Sequence, residues 1–209
     1  MSDAEERLVR VLKAHPPQHW RIEDARDAAI LIPIIAVPEP TLIVTVRTDT
    51  VRSHKGQISF PGGSIDPDDD SALDAALRET NEEIGLDPSL VRVLGELDTM
   101  PTFVSGYVVS PFVGWLADDP ELTPNPGEVA EVLRVPIADL VDDIRREPGF
   151  EHEGRSYPTE AWVWNDHVIW GVTARIIRTF LHLAAEAGLT DAPGDTTSWT
   201  GWPLPVGEP

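Results

Sequence analysis

The chain has 209 residues, a length suited to one domain with short additional segments. Acidic residues outnumber basic ones 36 to 16, and the resulting net charge of −20 repels nucleic-acid backbone and anionic membrane while leaving room for small anions bridged by divalent cations. There is no cysteine, which rules out disulfides, thiolate chemistry and Cys-bound zinc, and no apolar run of about 20 residues, so no transmembrane helix is expected. In chain order, Glu5 to Leu12 has the spacing of a short amphipathic helix, broken at Pro16-Pro17. The charged opening around it has the wrong order for a secretory signal, and a cytoplasmic protein is expected. Ala28 to Val37 and Thr41 to Val46 are apolar, β-branched runs parted by Pro38-Glu39-Pro40, which predicts two neighbouring strands. A polar stretch from Arg47 to Ser59 leads into Phe60-Pro61-Gly62-Gly63. Helical periodicity starts near Ser71 and stops at Gly85.

Leu90 to Leu97 and Tyr107 to Leu116 read as further strands, and Val135 to Ile144 as a short helix entered through Pro136. Phe150 to Val168 predicts short strands and Ile169 to Ala187 a long amphipathic helix. These elements make one α+β domain over residues 1–187, its N-terminal helix included. A Pro/Gly-rich tail over 188–209 follows, in which Trp199 and Trp202 are candidates to pin part of it down.

The segment from Gly62 to Leu86 carries the chemistry. At about 100° per residue, Leu73, Leu77, Thr80 and Ile84 share one face of its helix, while Glu79, Glu82 and Glu83 crowd another. Each like-charge pair at that spacing costs a few tenths of a kcal/mol. The helix dipole adds to the penalty, because these carboxylates stand in the last turn, where a helix built for stability carries Lys or Arg. A bound divalent cation removes both penalties, and hard oxygen ligands suit Mg²⁺ or Mn²⁺. An acidic string in an acidic protein is ordinarily a solvated face. Here a sharp Gly-Gly turn feeds the helix, and Arg78 stands four residues before Glu82, placed to orient it.

Arg78-Glu79-Thr80-Asn81-Glu82-Glu83-Ile84-Gly85-Leu86 resembles the signature of the Nudix hydrolases, a Gly and a Glu leading to Arg-Glu-apolar-x-Glu-Glu-x-Gly-apolar. Counting back from Arg78, the upstream Glu position falls on Asp70 and the Gly position on Ser64, one residue after Gly63, so the loop is one residue longer. Gly62-Gly63-Ser64-Ile65-Asp66-Pro67-Asp68-Asp69 and Ala76-Leu77-Arg78-Glu79 are similar to the coenzyme A diphosphatase branch. So are Ile43-Val44-Thr45, then Arg52, Gly56 and Phe60-Pro61-Gly62-Gly63 at matching spacing, and Trp170 to Arg175 at the last helix.

The resemblance implies an α/β/α sandwich built on a mixed sheet flanked by helices. It further implies hydrolysis of coenzyme A or its derivatives to 3′,5′-ADP and 4′-phosphopantetheine, with Mg²⁺ or Mn²⁺ held by Glu79, Glu82 and Glu83. Arg78 and Glu128, in Asn125-Pro126-Gly127-Glu128-Val129, join these as catalytic candidates, with Glu131 beyond. Arg47, Arg52, His54 and Lys55 form the densest basic stretch and, with Gly62 and Gly63, are the candidate substrate contacts. The expected partner is a small diphosphate compound, with no nucleic acid or membrane, and a homodimer is left open. The alternative substrates are ADP-ribose or another nucleoside diphosphate derivative. A non-catalytic binding module would have lost part of the Arg-Glu-x-x-Glu-Glu set. A calcium loop at Asp66 to Asp70 lacks its sixth-position Gly, the residue there being Ser71.

Overall fold

The computed structural model of the protein describes residues 2–48, 57–102, 105–141, 144–152 and 155–193. Helix α1 (Asp3–Ala14) is opened by a reciprocal cap: the Ser2 hydroxyl accepts from the Glu5 amide, and the Glu5 carboxylate accepts from the Ser2 amide. Its stripe of Leu8, Val11 and Leu12 is buried against the sheet. Strands β1 (Arg26–Ile35) and β2 (Thr41–Arg47) are the two apolar runs, paired antiparallel where Ile34 meets Leu42 and Ile35 meets Thr41. Further from the turn, the segment from Ile58 to Ser64 enters between them. Its first part, β3 (Ile58–Ser59), pairs with β2, and its last part, β4 (Gly62–Ser64), pairs with β1. The Phe60-Pro61-Gly62-Gly63 segment is therefore wedged inside the sheet.

Helix α2 (Ala72–Ile84) follows, capped by the Ser71 hydroxyl on the Asp74 amide and closed by the Gly85 amide donating to the Asn81 carbonyl. Strands β5 (Arg92–Glu96), β6 (Met100–Pro101) and β7 (Tyr107–Leu116) come next, with β5 and β6 antiparallel to β7. Strand β7 lies parallel to β1 along its whole length, so the sheet is mixed. Strand β8 (Val129–Pro136) pairs with the outer side of β2. A second, three-stranded sheet follows in β9 (Ile144–His152), β10 (Arg155–Trp164) and β11 (His167–Trp170), then helix α3 (Gly171–Glu186).

Strand alternation divides the core in two. Ala29, Leu31, Ile35 and Ile43 face Ala75, Ala76 and Ile84 of α2. Ala28, Ile32, Ile34, Leu42 and Val44 face Leu8 and Leu12 of α1 and Ile177, Phe180 and Leu181 of α3. The result is the expected α+β sandwich, helix on sheet on helices. Among the described residues, no helix is long and apolar enough to cross a membrane.

Two expected boundaries are corrected. The helix predicted from Val135 to Ile144 is a single 3₁₀ turn, Ile137–Leu140: Val135 and Pro136 close β8, and Ile144 opens β9. The long last helix begins at Gly171 rather than Ile169, because Ile169 and Trp170 pair with Trp162 and Ala161 across β10 and β11. The tail tryptophans Trp199 and Trp202 lie outside the described residues.

Candidate active site

The last two turns of α2 carry Arg78, Glu79, Glu82 and Glu83, and the three carboxylates, within about 100° of arc on the helix, meet different surroundings. Residues 82 and 83 differ by about 100° around the axis, and the inserted β3–β4 segment fills one of those directions. Glu83 turns inward with its side chain 3% exposed, Glu79 is 19% exposed and Glu82 stands at the rim at 58%. Thr80 and Ile84 are buried as expected, Leu73 and Leu77 only in part, and Ala75 and Ala76 complete the packed face. Thr80 is tolerated there because its hydroxyl donates to the Ala76 carbonyl at 2.6 Å.

Gly62 and Gly63 set the inner wall. Gly62 has φ +147°, a conformation that L side chains rarely adopt, and a Cβ on it would stand 2.3 Å from the Ala29 carbonyl oxygen. Its amide donates to Glu83 Oε2 at 3.2 Å. A Cβ on Gly63 would lie 2.5 Å from the Glu79 carboxylate carbon, so this glycine lets the strand close against that carboxylate. Arg47, at the end of β2, places Nη1 3.4 Å from Glu83 Oε1. Of the basic stretch, Arg47 is thus brought to the site; Arg52, His54 and Lys55 lie outside the described residues.

Arg78 is the hub of the outer wall. Its Nε and Nη2 donate to both oxygens of Asp69 at 2.8 and 2.9 Å, and Nη1 donates to Glu79 at 2.8 Å. Glu82, the carboxylate it was expected to orient, is 3.4 Å away, a weaker contact. The loop partner is also shifted by one. Asp70, reached by counting back from Arg78, is exposed, and Asp69 takes the guanidinium while also accepting from the Asp66 amide at 2.8 Å. Three consecutive aspartates and a longer loop hid this in the sequence. The Asp was visible; its register was not.

Glu128 reaches the site through the backbone. The Thr123 and Asn125 amides donate to the Ile84 and Glu83 carbonyls at 2.8 Å each, satisfying the end of α2. The Thr48 amide then donates to the Glu128 carbonyl at 2.9 Å, fixing Glu128 next to Arg47. Its charge is felt at both Glu79 and Glu83. Glu131, by contrast, is exposed on β8 opposite Val46.

Electrostatics follow from these contacts. Burial pushes the Glu83 carboxyl up to about 7; the Gly62 amide and Arg47 oppose the shift, and the charges of Glu128 and Glu79 add to it. Burial also raises Glu79, against the pull of Arg78. The hydrogen bonds from Arg78 hold Asp69 at about 2, and Asp69 in turn keeps the Arg78 guanidinium protonated. Among the described residues, no three Asp, Glu or His side chains stand together at metal-ligating spacing: Glu79 is turned to Arg78, and Glu82 points to solvent.

Residues 25–158 match the family described as NUDIX domain. The chain belongs to the Nudix family. It is 40% identical over 173 residues to the uncharacterized Nudix hydrolase NudL of Photorhabdus laumondii, covering 79% of this chain and 89% of that one. It is 42% identical over 178 residues to the NudL of Yersinia pestis, covering 82% and 84%. Among solved structures, a MutT/nudix family protein from Enterococcus faecalis superposes with a TM-score of 0.48 at 16% identity, over 85% of this chain and 72% of that one. Membership makes the chain a Nudix hydrolase, a class that cleaves phosphoanhydride bonds of small diphosphate compounds with divalent cations such as Mg²⁺ or Mn²⁺.

Proposed function

We propose that this Nudix hydrolase cleaves the diphosphate linkage of coenzyme A or its derivatives, yielding 3′,5′-ADP and 4′-phosphopantetheine. One observation carries the reading. The two stretches that resemble the coenzyme A branch, Ile43 to Gly63 upstream and the α2 signature downstream, meet at Gly62 and Gly63, against which Glu83 and Glu79 close. Thr45 of the upstream stretch is tied to the same wedge, its hydroxyl donating to the Ser59 carbonyl at 3.3 Å.

The donor set suits a hard divalent cation. Glu79 and Glu83 are carboxylates whose ionised forms are disfavoured by burial and by neighbouring carboxylates, which is the penalty a cation relieves. Glu79, Glu82 and Glu83 would hold such an ion, which would supply charge neutralisation on the diphosphate and a lowered pKa for an attacking water. The chain's own contributions are separable. Arg78 positions Glu79 and ties the Asp69 loop to the helix. Arg47 and the Gly62-Gly63 backbone line the place where diphosphate oxygens would lie, with Arg52, His54 and Lys55 of the adjoining stretch as further contacts. Glu82 and Glu128 are the candidates to accept a proton from water.

The test is a panel of coenzyme A, acyl-coenzyme A, ADP-ribose and dinucleoside polyphosphates, each with Mg²⁺ and with Mn²⁺. Coenzyme A or a thioester of it is expected to give the highest kcat/KM. ADP-ribose turning over far faster than either would overturn the assignment.

A further inference from the structure

Three arginines stand around the Gly62–Ser64 strand, and two of them have carboxylate partners. Arg47 faces Glu83, and Arg78 is held by Asp69 and Glu79. The third is Arg26, the first residue of β1. It is exposed, and no carboxylate of the described residues lies within ion-pairing distance of it.

Arg26 is also fixed in place. Its guanidinium carbon lies over the Tyr107 ring, 4.1 Å from the centroid, and Nη2 donates to the Ser105 carbonyl at 3.3 Å. Its amide donates to the Gly106 carbonyl at 2.9 Å. The Ser105–Tyr107 turn under it is braced by Thr102, whose Oγ1 accepts from the Tyr107 amide and from the Ser105 hydroxyl, both at 2.8 Å. The exposed guanidinium has donors beyond the one given to Ser105, and its planar fork is suited to a phosphate.

The patch is joined to the catalytic strand through Ser64. The Tyr107 and Ser64 hydroxyls are 3.2 Å apart, and the Ser64 carbonyl accepts from Arg78 Nη2 at 3.4 Å. Ser64 follows Gly63, which abuts the Glu79 carboxylate, so the patch begins one residue, about 3.3 Å, further along the strand. Asp27, the neighbouring acid, projects from the opposite face of β1 by strand alternation.

We infer that Arg26, with the Tyr107 and Ser64 hydroxyls, forms a subsite for a phosphomonoester carried by the substrate beyond its diphosphate, and so selects phosphorylated nucleotides over their unphosphorylated counterparts. The inference deepens the coenzyme A reading and rests on it, because coenzyme A carries such a group on its ribose. Arg26 provides the charge-assisted donors and the two hydroxyls complete the contact.

The test is calorimetry with Mg²⁺ present, comparing 3′,5′-ADP with 5′-AMP, which differ by the one phosphate. The wild-type protein is expected to bind 3′,5′-ADP about tenfold or more tightly than 5′-AMP, and Arg26→Ala to reduce that ratio towards one. Arg26→Lys keeps the charge without the planar fork and should restore part of the ratio; Tyr107→Phe removes one hydroxyl and should lower it several-fold. Equal affinities in the wild type, absence of binding by either nucleotide, or an unchanged ratio in Arg26→Ala would overturn the subsite. An Arg26-dependent preference in a protein that does not hydrolyse coenzyme A would instead sink the coenzyme A reading and leave the subsite standing.

Discussion

Replacing Glu83 by glutamine keeps the side chain's length and its acceptor for the Gly62 amide but removes a charge that the fold disfavours. Glu83 is shifted from its ordinary 4.5 to about 7. At 1.36 kcal/mol per pKa unit, ionising it in the metal-free folded protein costs roughly 3 kcal/mol more than in the unfolded chain. The sign follows from proton counting. Between 4.5 and about 7 the folded state binds the Glu83 proton more tightly than the unfolded state, so this stabilisation is complete below 4.5 and lost as pH rises through 7. In Glu83→Gln that loss is absent. Arg47 gives up its 3.4 Å contact in the exchange, which reduces the gain, since the guanidinium is partly solvated. Urea denaturation with EDTA from pH 4.5 to 8.5 should show the two proteins diverging with pH, the variant more stable by about 1–3 kcal/mol at pH 8. For a protein of this size that is a rise in Tm of very roughly 2–12 °C. The same variant should lose hydrolysis at saturating Mg²⁺. A wild type that is the more stable protein at pH 8 without metal, or a variant with near-normal turnover, would refute the idea that this carboxylate is buried for function against stability.

Asp69→Asn removes the bidentate clamp on Arg78 and should lower kcat by on the order of tenfold or more with Mg²⁺ saturating, whereas Asp70→Asn, at an exposed position, should stay within about twofold; steady-state rates on both variants decide the loop register. Gly63→Ala puts a methyl 2.5 Å from the Glu79 carboxylate, and a displacement of about 1 Å there should cost on the order of 10²-fold in kcat with the fold retained by circular dichroism. Glu128→Gln removes a charge that raises both Glu79 and Glu83, so the acid limb of the pH–rate profile should move to lower pH; an unmoved limb and unchanged rate would take Glu128 out of the site.

Elements with an unbroken period were legible from the amino-acid sequence. Tyr107 to Leu116 is the strand it was expected to be, and α2 starts after Ser71 and stops before Gly85 because both caps are local. Strand β8 was not legible, and the reason is a bulge. Opposite Val46 and Arg47 the register slips from Glu131 to Val129. Val129 and Val132 consequently face α2, while Leu133 and Val135 face the other layer, which destroys the alternation that identifies a strand. The same slip sets Val129 against Arg47 and so draws the preceding Glu128 towards Glu83.

Helical spacing gave the angles of the three glutamates correctly but could not say what lies in each direction. That depends on β1 and β2 separating so that Ile58 to Ser64 enters the sheet, a contact between segments far apart in sequence. Once the Gly62-Gly63 wedge is in place, one glutamate receives a backbone amide, the next stands against a glycine and the third meets water. Repulsion along the helix is then a smaller effect than burial, since a few tenths of a kcal/mol per pair is far below the cost implied by the shift of Glu83. The penalty at this candidate site therefore resides mainly in the strand that covers the carboxylates, and a helix with the same glutamates but no covering glycines would carry little of it.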